Sequence, residues 1–224
     1  MGQKVSRIFR ESGVVGVVDP DLVNRSIYDF YLQAIEDLWG LSKETAEKLG
    51  PMGNELFEAE FAALGSKAYN TSVIMPIRNA FYNYCALFYR HHKFFDHVYL
   101  DTPILDYGCG VGYQLLWLKH LYPDNEFWGY DVPGPQEQLT RHVFDKKGIN
   151  FGIPEKPQTI LCFHVLEHLD DPFAKIDELR ALGGQLYASC VSDKGHGHVV
   201  DEKKANEVIA YLRKENEFVE DHWG

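Results

Sequence analysis

The chain is predicted to be an α/β protein, with a mostly parallel sheet, flanking helices and a helical N-terminal cap. Up to about residue 97, apolar residues recur every three or four positions, which is typical of amphipathic helices. From about residue 98, short strand-like segments alternate with helical ones. We therefore divide the chain into a helical cap or substrate region, 1–97, and an α/β domain, 98–224.

Four helices are predicted in the N-terminal region, at about 22–39, 42–49, 54–64 and 76–97. Asp21 is the expected N-cap of the first helix, Gly50-Pro51 separates the second from the third, and Pro76 opens the fourth. The fourth helix is rich in aromatic residues. We assign these rings mainly to core packing, and some of them to the wall of a substrate pocket.

In the α/β region the pattern predicts strands at about 102–107, 126–131, 149–152, 158–164 and 184–190. Helices are expected between them at about 112–122, 135–147 and 172–182, and a last helix and strand at about 203–215 and 218–223. Because strands and helices alternate, the strands should be parallel and the helices should cover both faces of the sheet.

The bulk composition excludes several classes of protein. The net charge is −11 and no basic block occurs, which disfavours binding to long nucleic acid. The four cysteines are widely spaced, as expected for reduced thiols in a cytoplasmic protein, and no apolar run is long enough to span a membrane. The N-terminal MGQKVS matches an acylation pattern, but a frayed polar terminus is the favoured interpretation. The sequence is also compatible with a homodimer.

Three glycines fall within five residues in LDYGCGVGYQ, residues 105–114, at the end of the first strand of the α/β region. Ligands of open α/β sheets bind beyond the carboxyl ends of the strands, and glycine lets the backbone approach them closely. A dinucleotide site needs G-x-G-x-x-G, but Tyr113 stands where the third glycine belongs. The Lys-[Ser/Thr] pair of a phosphate-binding loop is absent too. Neither phosphate-containing cofactor fits this spacing.

The pattern Asp106-x-Gly108-x-Gly110-x-Gly112 instead resembles motif I of the class I S-adenosylmethionine-dependent methyltransferases. Asp131 ends the next strand, as the family requires. The run HVLEHLDDP, residues 164–172, resembles the segment after the fourth strand of many small-molecule methyltransferases. The resemblance covers residues 102–190 and implies a Rossmann-like fold, S-adenosylmethionine as cofactor and S-adenosylhomocysteine as product.

The resemblance also assigns roles to residues. The glycines would pass under the cofactor, Asp106 would orient the amino end of its methionine tail, and Asp131 would accept both ribose hydroxyls. Val132 would lie beside the adenine, and the end of the fourth strand against the sulfonium. The implied cofactor-binding residues are Asp106, Tyr107, Gly108, Gly110, Gly112, Asp131, Val132, Phe163 and His164.

The chain departs from the family pattern in two places. Residues 152–157, GIPEKP, lack the Asp that often holds the adenine amino group, so that the backbone at Gly152 or Ile153 would have to replace it. The family's sheet normally ends in an antiparallel hairpin, and only one such strand is visible, at 218–223. The other is missing, replaced by residues 196–200, or supplied otherwise.

Histidines cluster around the expected site, and three interpretations stay open for them. His164, Glu167 and His168 form an H-x-x-E-H run after the fourth strand, and His196 and His198 follow the fifth. In the first interpretation His168 holds loops together by hydrogen bonds. In the second, His164 or His198 is the general base, because imidazole titrates near neutral pH.

The third interpretation is a metal site made of His164, Glu167, His168 and His198. The ubiquinone-pathway and small-RNA 2′-O-methyltransferases look similar here, but they carry E-x-x-E-H plus a later His and bind a divalent ion. In this chain His164 takes the place of the first Glu. Imidazole and carboxylate ligands suit a transition metal better than Mg²⁺. We favour the first two interpretations over a metal.

The expected function is methyl transfer from S-adenosylmethionine to an O or N atom of a small molecule, with the helical cap shaping the acceptor pocket. Such an in-line displacement needs mainly positioning and a dry, preorganised site. The main rival is a non-catalytic or partner-dependent binding protein of the same fold. A nicotinamide-dependent oxidoreductase is disfavoured by Tyr113.

Overall fold

A computed structural model describes residues 3–4, 20–65, 67–94, 99–191 and 198–218. Its strands are β1 Gln3–Lys4, β2 Tyr99–Leu100, β3 Ile104–Tyr107, β4 Phe127–Tyr130, β5 Asn150–Phe151, β6 Thr159–Cys162 and β7 Gln185–Ala188. Five of them form a parallel sheet in the order β5-β4-β3-β6-β7. The predicted α/β class and its parallel sheet are confirmed.

The helices lie on both faces of this sheet. They are α1 Pro20–Trp39, α2 Lys43–Leu64, α3 Lys67–Thr71, α4 Ile74–Phe94, α5 Tyr113–Leu121, α6 Pro135–Lys147, α7 Pro172–Ala181 and α8 Glu202–Arg213. Successive strand residues point to opposite faces. Ile104 and Phe127 therefore join one core with α1, α5 and α6, whereas Leu105 and Ile160 join a second core with α7 and α8.

The N-terminal helices are part of the first core. Tyr31 and Ile35 of α1 are completely buried. The Tyr31 ring stacks on that of Tyr113 at the start of α5, with centroids 5.4 Å apart. The helical region is thus packed directly against the sheet domain. The division of the chain at residue 97 stays a prediction.

The predicted break at Gly50-Pro51 is wrong, because α2 continues through it as one helix. The helix lies very close to α4 at this point. A Cβ on Gly50 would lie 2.7 Å from the Phe81 Cβ, and one on Gly53 would lie 2.5 Å from the Arg78 Cβ. The two glycines permit this close packing, which outweighs the helical hydrogen bond that proline removes.

Two helix starts also differ from the prediction. Helix α1 begins at Pro20, so that Asp21 lies in its first turn and is not its cap. Helix α4 begins at Ile74, two residues before the predicted Pro76. The Ser72 hydroxyl caps it by accepting hydrogen bonds from the Ile74 and Met75 backbone N–H groups. The predicted extension to His97 lies outside the described residues.

The last strands are shorter than expected. Phe218 forms a parallel bridge with Ala188, and the rest of the predicted strand at 218–223 lies outside the described residues. Residues 198–200 form no strand. A pairing that the sequence did not indicate joins β1 and β2 in antiparallel register. Among the described residues, every pairing within the five-stranded sheet is parallel, without an antiparallel strand.

Two of the bulk predictions concern the cysteines and the membrane. All four cysteines are free thiols. None of the helices in the described ranges combines the length and apolar character needed to cross a membrane.

Candidate cofactor and active site

The candidate site lies where β3 and β4 end. These neighbouring strands are parallel, with Asp106 opposite Gly129, so that the residues following both emerge at one edge of the sheet. The Gly110 N–H donates a hydrogen bond to Asp131 Oδ2 at 2.6 Å. This bond joins the glycine loop after β3 to the carboxylate after β4.

The three loop glycines all have positive φ, but only one faces open space. A Cβ on Gly108 would overlap Val165 Cγ2, and one on Gly112 would overlap the Phe144 ring. At Gly110 the nearest atom would be the Gln136 amide nitrogen, 3.8 Å away. Gly108 and Gly112 therefore let the protein pack against the loop. Gly110 leaves a cradle that a ligand can fill.

Asp131 is surrounded by donors. Besides Gly110, the Val132 N–H donates to its Oδ1 at 2.7 Å and the Gln136 amide donates to its Oδ2 at 3.3 Å. Burial nevertheless raises the pKa of Asp131 to about 6, although these hydrogen bonds lower it. Of the roughly four lone-pair sites of a carboxylate, these three bonds use two on Oδ2 and one on Oδ1, so that one site on Oδ1 remains for a hydrogen bond from a ligand.

Asp106 lies deeper, with 4% of its surface exposed. Burial and the neighbouring Asp131 raise the pKa of Asp106 to about 7. No hydrogen bond or ion pair to its carboxylate is found among the described residues. A buried acid in this state stabilises a cationic ligand group placed beside it, because the cation offsets the cost of ionising it.

Helix α6 and the helical region hold this edge of the sheet in place. The Tyr31 hydroxyl donates to the Val111 carbonyl oxygen at 2.5 Å. The Thr140 hydroxyl of α6 donates to the Gly110 carbonyl oxygen at 2.8 Å. Neither contact was predicted, because each joins the loop to a residue far along the chain.

A second unpredicted group reaches Asp131 itself. Gln136 is 7% exposed, and its Oε1 accepts a hydrogen bond of 2.6 Å from Asn79 of α4. Asn79 in turn accepts one of 2.9 Å from the Arg78 guanidinium. Residues 79 and 136 are 57 positions apart, so that no sequence motif contains both.

The other predicted cofactor residues lie around this edge. Val132 is 51% exposed after β4, and Ile153 is 41% exposed after β5. The Tyr107 ring stacks on Tyr130 and lies 5.0 Å from Lys175 Nζ of α7, and therefore packs with the second core. Phe163 is half-buried and packs against the first core.

The segment after β6 returns to the glycine loop through Val165, which fills the space over Gly108. His164 has a φ of 56°, a left-handed conformation that a histidine rarely adopts. Its N–H donates to the Ser189 hydroxyl at 3.3 Å, and its Nδ1 lies 3.4 Å from Glu167 Oε1. Strained backbone of this kind is concentrated at functional sites.

Three of the four predicted metal ligands converge. One ligand atom each from Glu167, His168 and His198 lie within 4.8 Å of one another. The His168 and His198 rings are 4.9 Å apart. Glu167 is completely buried, and neither carboxylate oxygen accepts a hydrogen bond from the residues that the structure describes. His164 touches this group through Glu167 but does not belong to the mutual cluster. His196 lies outside the described residues.

The fold and the site together define a class of protein. A parallel Rossmann-like sheet carries a glycine turn after β3 and a carboxylate after β4, in the arrangement of class I methyltransferases. A family described as "Methyltransferase domain" matches residues 77–219. The chain belongs to this family.

Individual relatives are distant. An uncharacterized protein from Synechococcus sp. is 27% identical over 128 residues, which are 50% of this chain and 30% of that protein. The chain therefore spans about 30% of the length of this curated relative.

Solved structures that are similar include an rRNA methylase from Escherichia coli and the plantazolicin methyltransferase BamL in complex with a triazolic desmethylPZN analog and SAH. The first is 16% identical, with a TM-score of 0.44, and the alignment covers 88% of this chain and 90% of the other. The second is 13% identical, with a TM-score of 0.39 and coverages of 88% and 77%.

Proposed function

We propose that this protein transfers the methyl group of S-adenosylmethionine to an oxygen or nitrogen atom of a small-molecule acceptor. The observation that carries the proposal is the hydrogen bond between Gly110 and Asp131, which assembles the glycine loop and the second-strand carboxylate into one site. These residues fit S-adenosylmethionine. Asp131 offers a carboxylate for its ribose, Asp106 offers a buried acid for the positively charged end of its methionine tail, and Gly110 lets the cofactor approach the backbone closely.

Each group would act on a different part of the cofactor. Asp131 would accept a ribose hydroxyl through the remaining lone pair of Oδ1. Asp106 would hold the ammonium end of the methionine tail. Val132 and Ile153 offer exposed apolar surface against which the adenine ring would pack.

His164 is the proposed general base. Bound S-adenosylmethionine supplies a methyl group that is activated by a positively charged sulfur. His164 Nδ1 lies 3.4 Å from Glu167 Oε1, and the ring nitrogen of His164 that carries a lone pair would take the proton that the acceptor hydroxyl or amine loses. His198 is the second candidate base. The helices before the sheet are proposed to shape the acceptor pocket, since α1 and α4 are linked to the loop and to Asp131.

Calorimetry tests the first step. We expect the purified protein to bind S-adenosylmethionine and S-adenosylhomocysteine, and Asp131→Ala to weaken both by roughly 100-fold, since the variant loses a hydrogen bond from the ribose to a charged group and the bond that holds the Gly110 N–H. Absence of binding by the wild type, or equal binding by the variant, would contradict the proposal.

A panel of small hydroxyl and amine acceptors tests the second step. Formation of S-adenosylhomocysteine and methylated product is expected with the wild type, and a large loss of turnover with His164→Gln. A protein that binds the cofactor but methylates no acceptor would support the non-catalytic alternative. A homodimer stays a prediction that sedimentation analysis can test.

A metal-assisted O-methyltransferase is the second candidate function. It is favoured by the convergence of Glu167, His168 and His198, and by the buried Glu167 oxygens that accept no hydrogen bond within the described structure. Two imidazoles and one carboxylate suit a transition metal. Mn²⁺, Co²⁺ or Zn²⁺ would then raise the melting temperature, and His168→Ala would remove that increase. Equal melting curves with and without metal, in both proteins, would exclude this candidate.

A further inference from the structure

A chain of hydrogen bonds runs from the helical region to Asp131 in one direction. The Arg78 guanidinium donates to Asn79 Oδ1 at 2.9 Å, and Asn79 Nδ2 donates to Gln136 Oε1 at 2.6 Å. Gln136 Nε2 then donates to Asp131 Oδ2 at 3.3 Å. This relay, Arg78-Asn79-Gln136-Asp131, has a cation at one end and a carboxylate at the other.

The chemistry of the two ends fixes the direction of every link. A guanidinium can only donate hydrogen bonds, and an ionised carboxylate can only accept them. The side-chain amides of Asn and Gln can turn either end toward a neighbour, so that their partners decide which end points where. Arg78 therefore directs the Asn79 NH₂ group toward Gln136, and Asn79 directs the Gln136 NH₂ group toward Asp131.

Arg78 is itself held firmly by the helical region. Its Nε donates to Asn54 Oδ1 of α2 at 2.5 Å, and the Asn54 amide donates to the Tyr82 hydroxyl. The guanidinium lies over the rings of Phe57 and Tyr82, at 5.8 and 5.1 Å from their centroids. The relay thus begins at the packed contact between α2 and α4.

The far end of the relay lies in the cofactor site. Asp131 Oδ2 accepts from Gln136 and from the Gly110 N–H, and the Gln136 nitrogen is the nearest atom to the open cradle at Gly110. A change in the orientation of the Gln136 amide would place its oxygen against Asp131 Oδ2. Two acceptors would then face each other at the point where the ribose is expected.

We propose that Arg78, Asn79 and Gln136 are positioning residues through which the packing of α2 on α4 sets the orientation of Asp131, and with it the affinity for the cofactor. This inference rests on the proposed cofactor site. The helical region accordingly does more than wall the acceptor pocket: anything that displaces α4, an acceptor molecule included, changes cofactor affinity through the relay.

Asn79→Asp is the decisive variant, because it keeps the shape of the side chain and replaces its donor by an acceptor. The Gln136 amide then turns its NH₂ group toward residue 79 and its oxygen toward Asp131. We expect the affinity for S-adenosylhomocysteine to fall about tenfold or more, and about threefold in Asn79→Ala, which removes the link without reversing it.

Asn83→Asp is the matched control, one turn further along α4. Asn83 donates to the Asn79 backbone carbonyl oxygen at 2.6 Å but does not belong to the relay, and the variant makes the same change of charge. We expect its affinity to stay within about twofold of the wild type. Melting temperatures of all variants show whether the fold is retained, and Asn79→Ala decides the matter if Asn79→Asp does not fold.

The pH profile of binding adds a measurement that a purely structural role would not move. Loss of the Gln136 donor raises the pKa of Asp131, and protonated Asp131 binds the ribose less well. As the pH is lowered, binding should therefore begin to weaken at a higher pH in Asn79→Asp than in Asn83→Asp. The other titratable groups that face Asp131 are Asp106, Cys109 and Glu137, and they are unchanged in both variants.

The outcomes separate the two proposals. A wild type that binds the cofactor, together with Asn79→Asp and Asn83→Asp variants of equal affinity and equal pH profile, overturns the relay alone. A wild type that does not bind overturns the proposed function, and the relay with it.

Discussion

Two carboxylates on either side of the candidate site, Asp131 and Glu167, differ in how fully the protein satisfies them with hydrogen bonds. At the glycine loop, the Asp131 carboxylate accepts three hydrogen bonds, from Gly110, Val132 and Gln136. After β6, the carboxylate of Glu167 is completely buried, and its oxygens accept no hydrogen bond in the described part of the chain. The neighbouring His164 has a strained backbone.

The difference teaches where the protein is preorganised and where it is incomplete. The loop half of the site comprises the glycine loop, Asp106 and Asp131. It is held by α1, α4 and α6 and would offer a preorganised frame for a cofactor. The histidine half comprises His164, Glu167, His168 and His198. Within the described ranges, no hydrogen bond offsets the desolvation of the buried Glu167 carboxylate, and such a carboxylate stabilises a bound cation or an imidazolium. The first half would bind, and the second would take part in the chemistry.

Gly108→Ala should break the loop half most severely. The new Cβ would clash with Val165 and would also force a φ of 75° on a residue that has a side chain. We expect the free energy of unfolding to fall by about 3–5 kcal/mol, measured by urea denaturation.

Gly110→Ala is the matched control for Gly108→Ala. It has a similar φ but nothing nearer to its Cβ than 3.8 Å, and should cost only about 1–2 kcal/mol while it weakens cofactor binding. Equal losses of stability in the two variants would contradict the distinction between Gly108, against which Val165 packs, and Gly110, which faces open space.

The pH dependence of stability should sharpen the loop half next. The pKa values of Asp106 and Asp131 are raised to about 7 and about 6 in the folded protein, so that the folded state keeps protons that the unfolded chain releases near pH 4. The contribution of Asp106 and Asp131 to the free energy of unfolding is therefore fully present below about pH 4 and is lost as the pH rises toward 7.

At about 1.4 kcal/mol per pKa unit, the pair of carboxylates should thus lower the free energy of unfolding by roughly 5–6 kcal/mol between pH 4 and pH 7, with the larger part from Asp106. The difference in the free energy of unfolding between wild type and Asp106→Asn, measured by urea denaturation across this pH range, isolates the share of Asp106. Cofactor binding near pH 7 should also release protons, because the ammonium group lowers the pKa of Asp106. Parallel stability curves for the two proteins would contradict the assignment.

Glu167→Gln tests the histidine half. In metal-free protein the free energy of unfolding should rise by about 1 kcal/mol, since the buried amide carries no charge that must be desolvated. Glu178→Gln, at an exposed ion pair with Lys175, should change it by less than about 0.5 kcal/mol. A large loss of stability in Glu167→Gln would show that the carboxylate already has a strong partner.

Tyr31→Phe should have an effect as modest as that of Glu167→Gln, but of opposite sign. It removes one hydroxyl and leaves the Val111 carbonyl oxygen in the loop without that donor, at a cost of about 1 kcal/mol. Chemical denaturation of the full chain measures it. An unchanged free energy of unfolding would show that α1 holds the loop by packing alone.

The sequence by itself determined the parts of this protein that depend on local pattern. Alternating segments predicted the parallel sheet, and spacing alone separated the loop at Gly108, Gly110 and Gly112 from a dinucleotide turn. The resemblance to the class I methyltransferases added the expectation that Asp131 and the loop glycines serve the same cofactor. These inferences hold because strand period and turn geometry are set by a few consecutive residues.

Only the tertiary structure decided the rest. The helix through Gly50-Pro51, the relay from Arg78 to Gln136, and the choice of Glu167, His168 and His198 over His164 in the convergent cluster all depend on which surfaces meet. Packing can override a local helix breaker, and a polar side chain finds its partner by proximity in space. The glycine loop could therefore be identified in the sequence, whereas the contacts that hold and orient it depend on folding.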